Sequence, residues 1–203
     1  MTCALPDVQL GFAMPVAGLT PAPLHHANRL LAAWGHYLGP VNRPSGAQAW
    51  VLDVAGDPVS VAVSNCIVSK YVTVSGPGEP REDLGRDQVV ELGRLCTAPG
   101  AYWATRPMLR LWREIALPRW PYWTAAAAVA YSQDGRHDGT IYRFDGWKRA
   151  AGRRGSGGGG TWGTPQRGGD LRAGAKTMWV WRPAAKTPGS RPAAGPTKGT
   201  PLP

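Results

Sequence analysis

The feature that most narrows what this chain can fold into is the apolar run over residues 123–131, closed off by Pro121 before it and Ser132-Gln133-Asp134-Gly135 after it. It is far shorter than the roughly 18 residues of a membrane span and too continuous for a strand with one wet face, so it reads as a buried central strand. Residues 88–95, including Val89-Val90-Glu91-Leu92-Gly93-Arg94-Leu95, read as another strand, ended by Ala98-Pro99-Gly100. Between the two, Met108, Leu109, Leu111, Trp112 and Ile115 recur at helical spacing. Thr105 is the predicted N-cap, Pro107 falls in the first turn, and Pro118 and Pro121 are the predicted stop near Leu117. Strand, helix and strand in that order make a βαβ unit and place the chain in the α/β class.

The remaining elements fit around that unit. Residues 1–24 carry Pro6, Pro15, Pro21 and Pro23 and read as irregular. Leu24, Leu30, Leu31 and Trp34 predict a helix from His25 or His26, broken by Gly35, which leaves His36-Tyr37 at the helix exit. Residues 47–54 and 58–63, around Ala55-Gly56-Asp57, predict a β-hairpin. Residues 65–74 read as a further extended segment and 76–85 as a polar loop. One domain over 25–182 follows, with a flexible Gly-rich insertion at about 153–176, a final strand at 178–181, and a disordered basic tail over 183–203.

Charge divides the chain at the same place. Residues 1–147 hold 12 Lys+Arg against 12 Asp+Glu, whereas 148–203 hold 11 Lys+Arg against Asp170 alone, so the net +10 sits in the last quarter. Such an arm suits a polyanion, because each cation near a phosphate releases condensed counterions. Arg153, Arg154, Arg167, Arg172 and Lys176 are the predicted phosphate contacts; a tail that only solubilises is the alternative. Cys3, Cys66 and Cys96 are odd in number and show no C-x-x-C spacing, and residues 1–20 lack a secretory pattern, which reads as a reduced, cytoplasmic protein away from membranes. Whether it is a monomer or a dimer is left open.

Two groups of residues carry chemistry. Where the strand ending at Leu95 feeds the helix opening at Thr105, backbone N–H groups, the Thr105 hydroxyl and Arg106 could hold an anionic cofactor group, against the alternative of an ordinary capped helix. The second group is dispersed: His36-Tyr37 early in the chain, and Asp134, His137, Asp138 and Tyr142 after the last core strand. Imidazole, carboxylate and phenolate form a mixed N/O donor set competent for a divalent transition metal, iron in particular. His25-His26 is assigned no role.

The stretch His137-Asp138-Gly139-Thr140-Ile141-Tyr142-Arg143-Phe144-Asp145-Gly146-Trp147 resembles the H-x-G-T-I-Y-R-x-x-x-W segment of the phage Mom DNA-modification proteins, an offshoot of the GCN5-related acetyltransferase (GNAT) fold. The resemblance covers roughly 34–153 and is firmest at 91–95 and 137–147. It implies a GNAT-like mixed central sheet flanked by helices, and an enzyme that converts adenine in DNA to N6-carbamoylmethyladenine, protecting phage DNA from host restriction. It also implies bound iron(II), with His36, Tyr37, Asp134 and Tyr142 as ligands, and leaves the donor open between acyl-CoA and another molecule. Tyr142, Arg94 and His137 are the implied catalytic residues, Tyr142 as acid/base and Arg94 holding a carboxylate or phosphate of the donor; Thr105 matches a helix-start hydroxyl of the family. Without gaps, the family's aspartate falls nearer Ser132, and Asp134 replaces it after a short shift. The loop 99–106 lacks the Q/R-x-x-G-x-G/A pattern of acyl-CoA users. Adenine inside a duplex is reached only by extruding the base, so aromatic groups such as Trp34, Trp103 and Trp147 are candidates to stack on it. An N-acyltransferase acting on a small amine or protein, and a non-catalytic DNA-binding protein on the same scaffold, are the alternatives.

Overall fold

The computed structural model describes residues 16–42, 46–133, 135–151 and 176–183. The chain opens with strand β1 (Ala17–Ala22) and helix α1 (Leu24–Ala33), followed by strands β2 (Ala47–Val54) and β3 (Asp57–Cys66). Two short strands, β4 (Tyr71–Thr73) and β5 (Asp83–Gly85), precede β6 (Val89–Thr97). A helical segment centred on α2 (Thr105–Leu111) leads to β7 (Ala127–Gln133), then α3 (Thr140–Phe144), β8 (Lys148–Arg149) and β9 (Lys176–Trp181). Seven strands form one sheet in the order β1-β2-β3-β6-β7-β9-β8, and β4-β5 pair separately. Every neighbouring pair in the large sheet is antiparallel except β6 and β7, the predicted βαβ pair.

Several boundaries differ from the sequence reading, each for a local reason. The first proline-rich stretch is not irregular to its end: Pro21 lies in β1 opposite Trp50, at the sheet edge, where a missing N–H costs no ladder bond. Ala55 and Gly56, at φ 56° and 89°, close the β2–β3 hairpin with both central residues left-handed, the turn that follows the twist of the strands. The segment read as extended and then as a loop instead folds back on itself as the β4–β5 hairpin, whose Val74 and Leu84 flank a small core with Val89, Val129 and Val180.

Thr105 is not an N-cap. Helical structure begins earlier, as a 3₁₀ turn over Tyr102–Ala104, and the Thr105 hydroxyl donates to the Tyr102 carbonyl at 2.9 Å. Pro118 does not stop the segment either, because Trp112–Ala116 widens into a π turn and Pro118 then occupies the opening of a 3₁₀ turn, Leu117–Arg119, where its lost N–H is harmless. β7 begins at Ala127, four residues after the start of the apolar run; Trp123 packs edge-on against Trp120 before the sheet. Ala127, Ala128 and Ala130 are fully buried, since β7 is covered on both faces. Lys176 belongs to β9, paired with Gln133, and so lies outside any flexible insertion.

Two layers cover the sheet. On one face, α2, the turns after it and α3 bury Met108, Leu109, Trp112, Tyr142 and Trp147 against Trp50, Leu92, Ala128, Ala130 and Trp179. On the other, α1 packs Ala27 and Leu31 on Val51, Val61 and Val63. Among the described residues no helix is long and apolar enough to cross a membrane.

Candidate active site at the parting of two parallel strands

β6 and β7 pair only from Val89↔Ala127 to Leu92↔Ala130. Beyond that point β6 stays with β3 as far as Thr97, while β7 follows β9 to Gln133, so the two strands part at their carboxyl ends. Crevices of this kind, outside the carboxyl ends of parallel strands, are where α/β proteins bind ligands. Here the opening is a cavity of about 210 Å³ lined by Tyr37, Glu91, Gly93, Arg94, Tyr131 and Lys176, among others.

A bulge shapes its wall. Val63 lies opposite Arg94 but Ser64 opposite Leu92, which leaves Gly93 unmatched. Strand side chains alternate, so Glu91 and Arg94 would face opposite ways in a regular strand; the extra residue turns both towards the cavity. A side chain at Gly93 would collide with Asn65, its Cβ landing 1.9 Å from the amide nitrogen. Glycine is therefore required at the bulge. Glu91 was not singled out by sequence reasoning, although its place two residues before a strand glycine was a signal for such a bulge.

The helix α1 delivers the next residues. Gly35, at φ 66°, ends it, and the His36 N–H reaches back to the Leu31 carbonyl at 2.9 Å, fixing the exit of the chain. His36 and Tyr37 then stack at 5.2 Å between ring centroids, and Tyr37 meets the His137 ring at 5.8 Å and the Arg136 guanidinium at 4.8 Å. Arg94 clasps this loop from β6, donating to the carbonyls of Gly39 at 3.1 Å, Leu38 at 3.4 Å and Gly93 at 2.8 Å. Burial, then the charges of Arg94 and His137, bring the His36 pKa down to about 4, so its ring is neutral at physiological pH. Burial also raises Tyr37, with Arg94 and Arg136 opposing. Tyr131 is pushed up to about 12 by desolvation and by the Glu91 carboxylate.

Tyr142 enters from the opposite side of the sheet. Its ring lies 5.3 Å from Trp147 and 5.9 Å from Trp179, and burial first, then Tyr37, pushes its hydroxyl far above the usual phenol range. The turn before it is built by two neighbours: Asp138 accepts from the Thr140 N–H at 2.9 Å and from the Thr140 hydroxyl, and Gly139 adopts φ 72°. Trp179 is held in turn by Ser132, whose buried hydroxyl accepts from its indole N–H at 2.9 Å. Ser132 thus serves the aromatic packing around Tyr142.

The other predicted residues fall elsewhere. Trp147 is buried and stacks on Trp112 at 6.2 Å, so it cannot receive a base; Trp34 packs beside α1, while Trp103 is 59% exposed. The Thr105 N–H is bonded to the Tyr102 carbonyl, which removes it from the predicted anion site, and Arg106 lies near Phe144 on the outer surface. Arg153, Arg154, Arg167, Arg172 and Asp134, with the basic tail, lie outside the described residues.

Of the four ligands expected for iron, His36, Tyr37 and Tyr142 lie within the described residues and Asp134 does not. Among the described residues no three His, Cys, Asp or Glu side chains group as a metal site. His36 Nδ1 accepts the Leu38 N–H at 3.3 Å, which in a neutral ring puts the proton on Nε2, and burial holds Tyr142 protonated. Within the described residues His36 would offer a neutral imidazole and Tyr37 and Tyr142 phenols to such an ion, and no step below runs through a metal.

No family model and no curated protein matches the chain. Solved structures do. An acetyltransferase of Bacillus subtilis in complex with CoA superposes with a TM-score of 0.51, over 84% of this chain and 99% of its own, at 9% identity. A mutant of the spermidine N-acetyltransferase SpeG from Vibrio cholerae gives 0.50 over 82% and 93%, at 7% identity. The fold is that of the GNAT acetyltransferases. The GNAT-like sheet expected from the resemblance is therefore present, with the β4–β5 hairpin inserted between its third and fourth strands. At these identities the likeness concerns the fold alone.

Proposed function

We propose that this GNAT-fold chain is a transferase acting on an amine, and that the amine is N6 of adenine in DNA, converted to the carbamoylmethyl form as in the Mom proteins. The observation that supports this is one of convergence. Of the residues the Mom resemblance singles out, Tyr37 and Arg94 line the cavity where β6 and β7 part, His36 and His137 lie against Tyr37, and Tyr142 is buried near enough to feel Tyr37, although they come from separate segments. Ordinary N-acyl transfer from an acyl-CoA to a small amine or protein is the second reading, and the structural neighbours favour it.

In either case the amine nitrogen bonds to the donor's carbon, the donor's leaving group departs, and the nitrogen gives up a proton. Tyr142, kept neutral by burial, is the candidate to donate a hydrogen bond to the leaving group. Arg94 acts as a positioning residue, since it holds the His36–Gly39 loop through main-chain carbonyls. Adenine would have to leave its stack to reach the cavity. Such a modification would shield the DNA from restriction.

Mass spectrometry of nucleosides from DNA of cells expressing the chain tests the proposal. Deoxyadenosine carrying a carbamoylmethyl mass supports it. Unmodified DNA together with acetyl transfer from acetyl-CoA to a small amine would establish the second reading.

A further inference from the structure

Among the described residues, exposed aromatic rings concentrate on one part of the surface outside the site. Three of the large apolar side chains most open to solvent, Tyr102 at 75%, Trp103 at 59% and Phe144 at 62%, come from the turn before α2 and the end of α3. Trp103 and Phe144 line one open groove of about 790 Å³ between those elements. Guanidinium groups interleave with them: Arg106 and Arg143 lie 5.8 and 5.2 Å from the centre of the Phe144 ring. Arg110 is paired with Glu114 at 3.0 Å and Arg113 with Asp145 at 3.5 Å, which accounts for both acids of the groove. Arg106 is thus the cation in excess within the lining, and Arg143, which also faces Asp138, adds to it at the rim.

Folding alone gives no reason to leave two aromatic rings open beside Arg106, which has no acid partner among the described residues. Exposed ring faces set among guanidinium groups are the pattern that binds single-stranded nucleic acid, bases on the rings and phosphates on the cations. Placement agrees with that partner. Helix α3 turns Tyr142 inward to the site and Phe144, two residues later, outward to the groove.

We infer that the α2–α3 groove docks single-stranded DNA flanking the target base, with Trp103 and Phe144 as stacking platforms and Arg106 on a phosphate. This rests on the DNA reading above. It also adds a contact on the folded body to the one expected of the basic arm.

The test is anisotropy of a labelled oligodeoxythymidine with the full chain, over a series of salt concentrations. Trp103→Leu and Phe144→Leu keep apolar volume at exposed positions, and matching thermal melts verify folding. Each is expected to weaken binding by between about five- and one-hundred-fold with the salt dependence kept, because the cations of the arm are untouched. Arg106→Gln is expected to lower the slope of log affinity against log salt by about 0.7. Wild-type affinity in both aromatic variants overturns the inference, as does loss of coenzyme A binding with oligonucleotide binding intact, which would make the groove a cofactor surface. The two proposals fail separately. Variants that lose binding while wild-type cells show unmodified adenine keep the groove and remove the adenine acceptor; modified adenine made equally by variants and wild type removes the groove.

Discussion

Gly139→Ala should unfold much of what surrounds Tyr142. A Cβ at this position would lie 2.2–2.4 Å from three atoms of the Trp179 indole, inside any contact distance, and its φ of 72° is strained for alanine whatever the space. The left-handed backbone costs roughly 1–2 kcal/mol for an L-residue. Trp179 would have to swing away, and it is rooted in β9 between β7 and β8. Moving it breaks the 2.9 Å bond to buried Ser132, about 1–3 kcal/mol for a stranded polar group. It also separates the Tyr142–Trp179 pair, worth about 0.5–1.5 kcal/mol. Together these make a loss of about 3–6 kcal/mol, a large share of the 5–15 kcal/mol by which domains are stable. Urea unfolding would report it as a lower midpoint at unchanged slope. A double-mutant cycle isolates the collision: phenylalanine at 179 lacks the indole atoms that the new Cβ strikes, so Gly139→Ala in a Trp179→Phe background should cost only the backbone strain. Equal cost in both backgrounds, or a loss under about 1 kcal/mol in the first, would refute the reasoning.

Three further outcomes follow from the site. Tyr142→Phe keeps both ring contacts, so stability should change by less than about 1 kcal/mol while turnover falls at least about a hundredfold, measured as modified adenine or acylated amine. His36 titrates at about 4 in the folded chain against 6.5 unfolded, so the unfolded state binds the proton first as pH falls. Its contribution is therefore complete above pH 6.5 and lost between 6.5 and about 4, with a ceiling of about 3 kcal/mol that partial exposure brings to about 2. His36→Gln should flatten that part of a stability–pH curve, and an unchanged curve would rule it out. Arg94→Lys should fail to hold the loop, because three bonds to three carbonyls use the guanidinium fork. Amide exchange at residues 36–39 should rise while the amides of β3 stay protected.

What the sequence made legible was set by periodicity and by breakers. The βαβ unit, the β2–β3 hairpin and the exit of α1 at Gly35 are local patterns, and they appear as expected apart from their ends. The ends moved where one local signal competed with another. Thr105 has a capping side chain, yet the tight turn at Ala98–Ala101 starts the helix a turn sooner and spends that hydroxyl on Tyr102. Glu91 stayed hidden because a bulge depends on how β6 registers with β3, which no single segment reveals. Trp147 was a candidate to stack on an extruded base and proves to be buried, because neither composition nor its place after the motif tells a buried ring from an open one among ten tryptophans.

The tryptophans explain how a site assembled from distant segments keeps its geometry. Trp112 and Trp179 are both buried, and each donates its indole N–H to a buried serine on a central strand, Ser64 at 2.8 Å and Ser132 at 2.9 Å. Ring packing alone is weakly directional, whereas a donor that must find its acceptor fixes the rotation of the ring. The two fixed rings then bracket Trp147 and Tyr142, so the phenol is located by the sheet itself and only secondarily by the five-residue helix that carries it. A helix that short has little stability of its own. The motif His137-Asp138-Gly139-Thr140-Ile141-Tyr142 therefore has a physical reading: Asp138 ties down the turn, Gly139 makes room for Trp179, and Trp179 aims Tyr142. On that account the strands set the position of the reacting groups, and loosening either indole–serine pair should misplace Tyr142 before it unfolds the sheet.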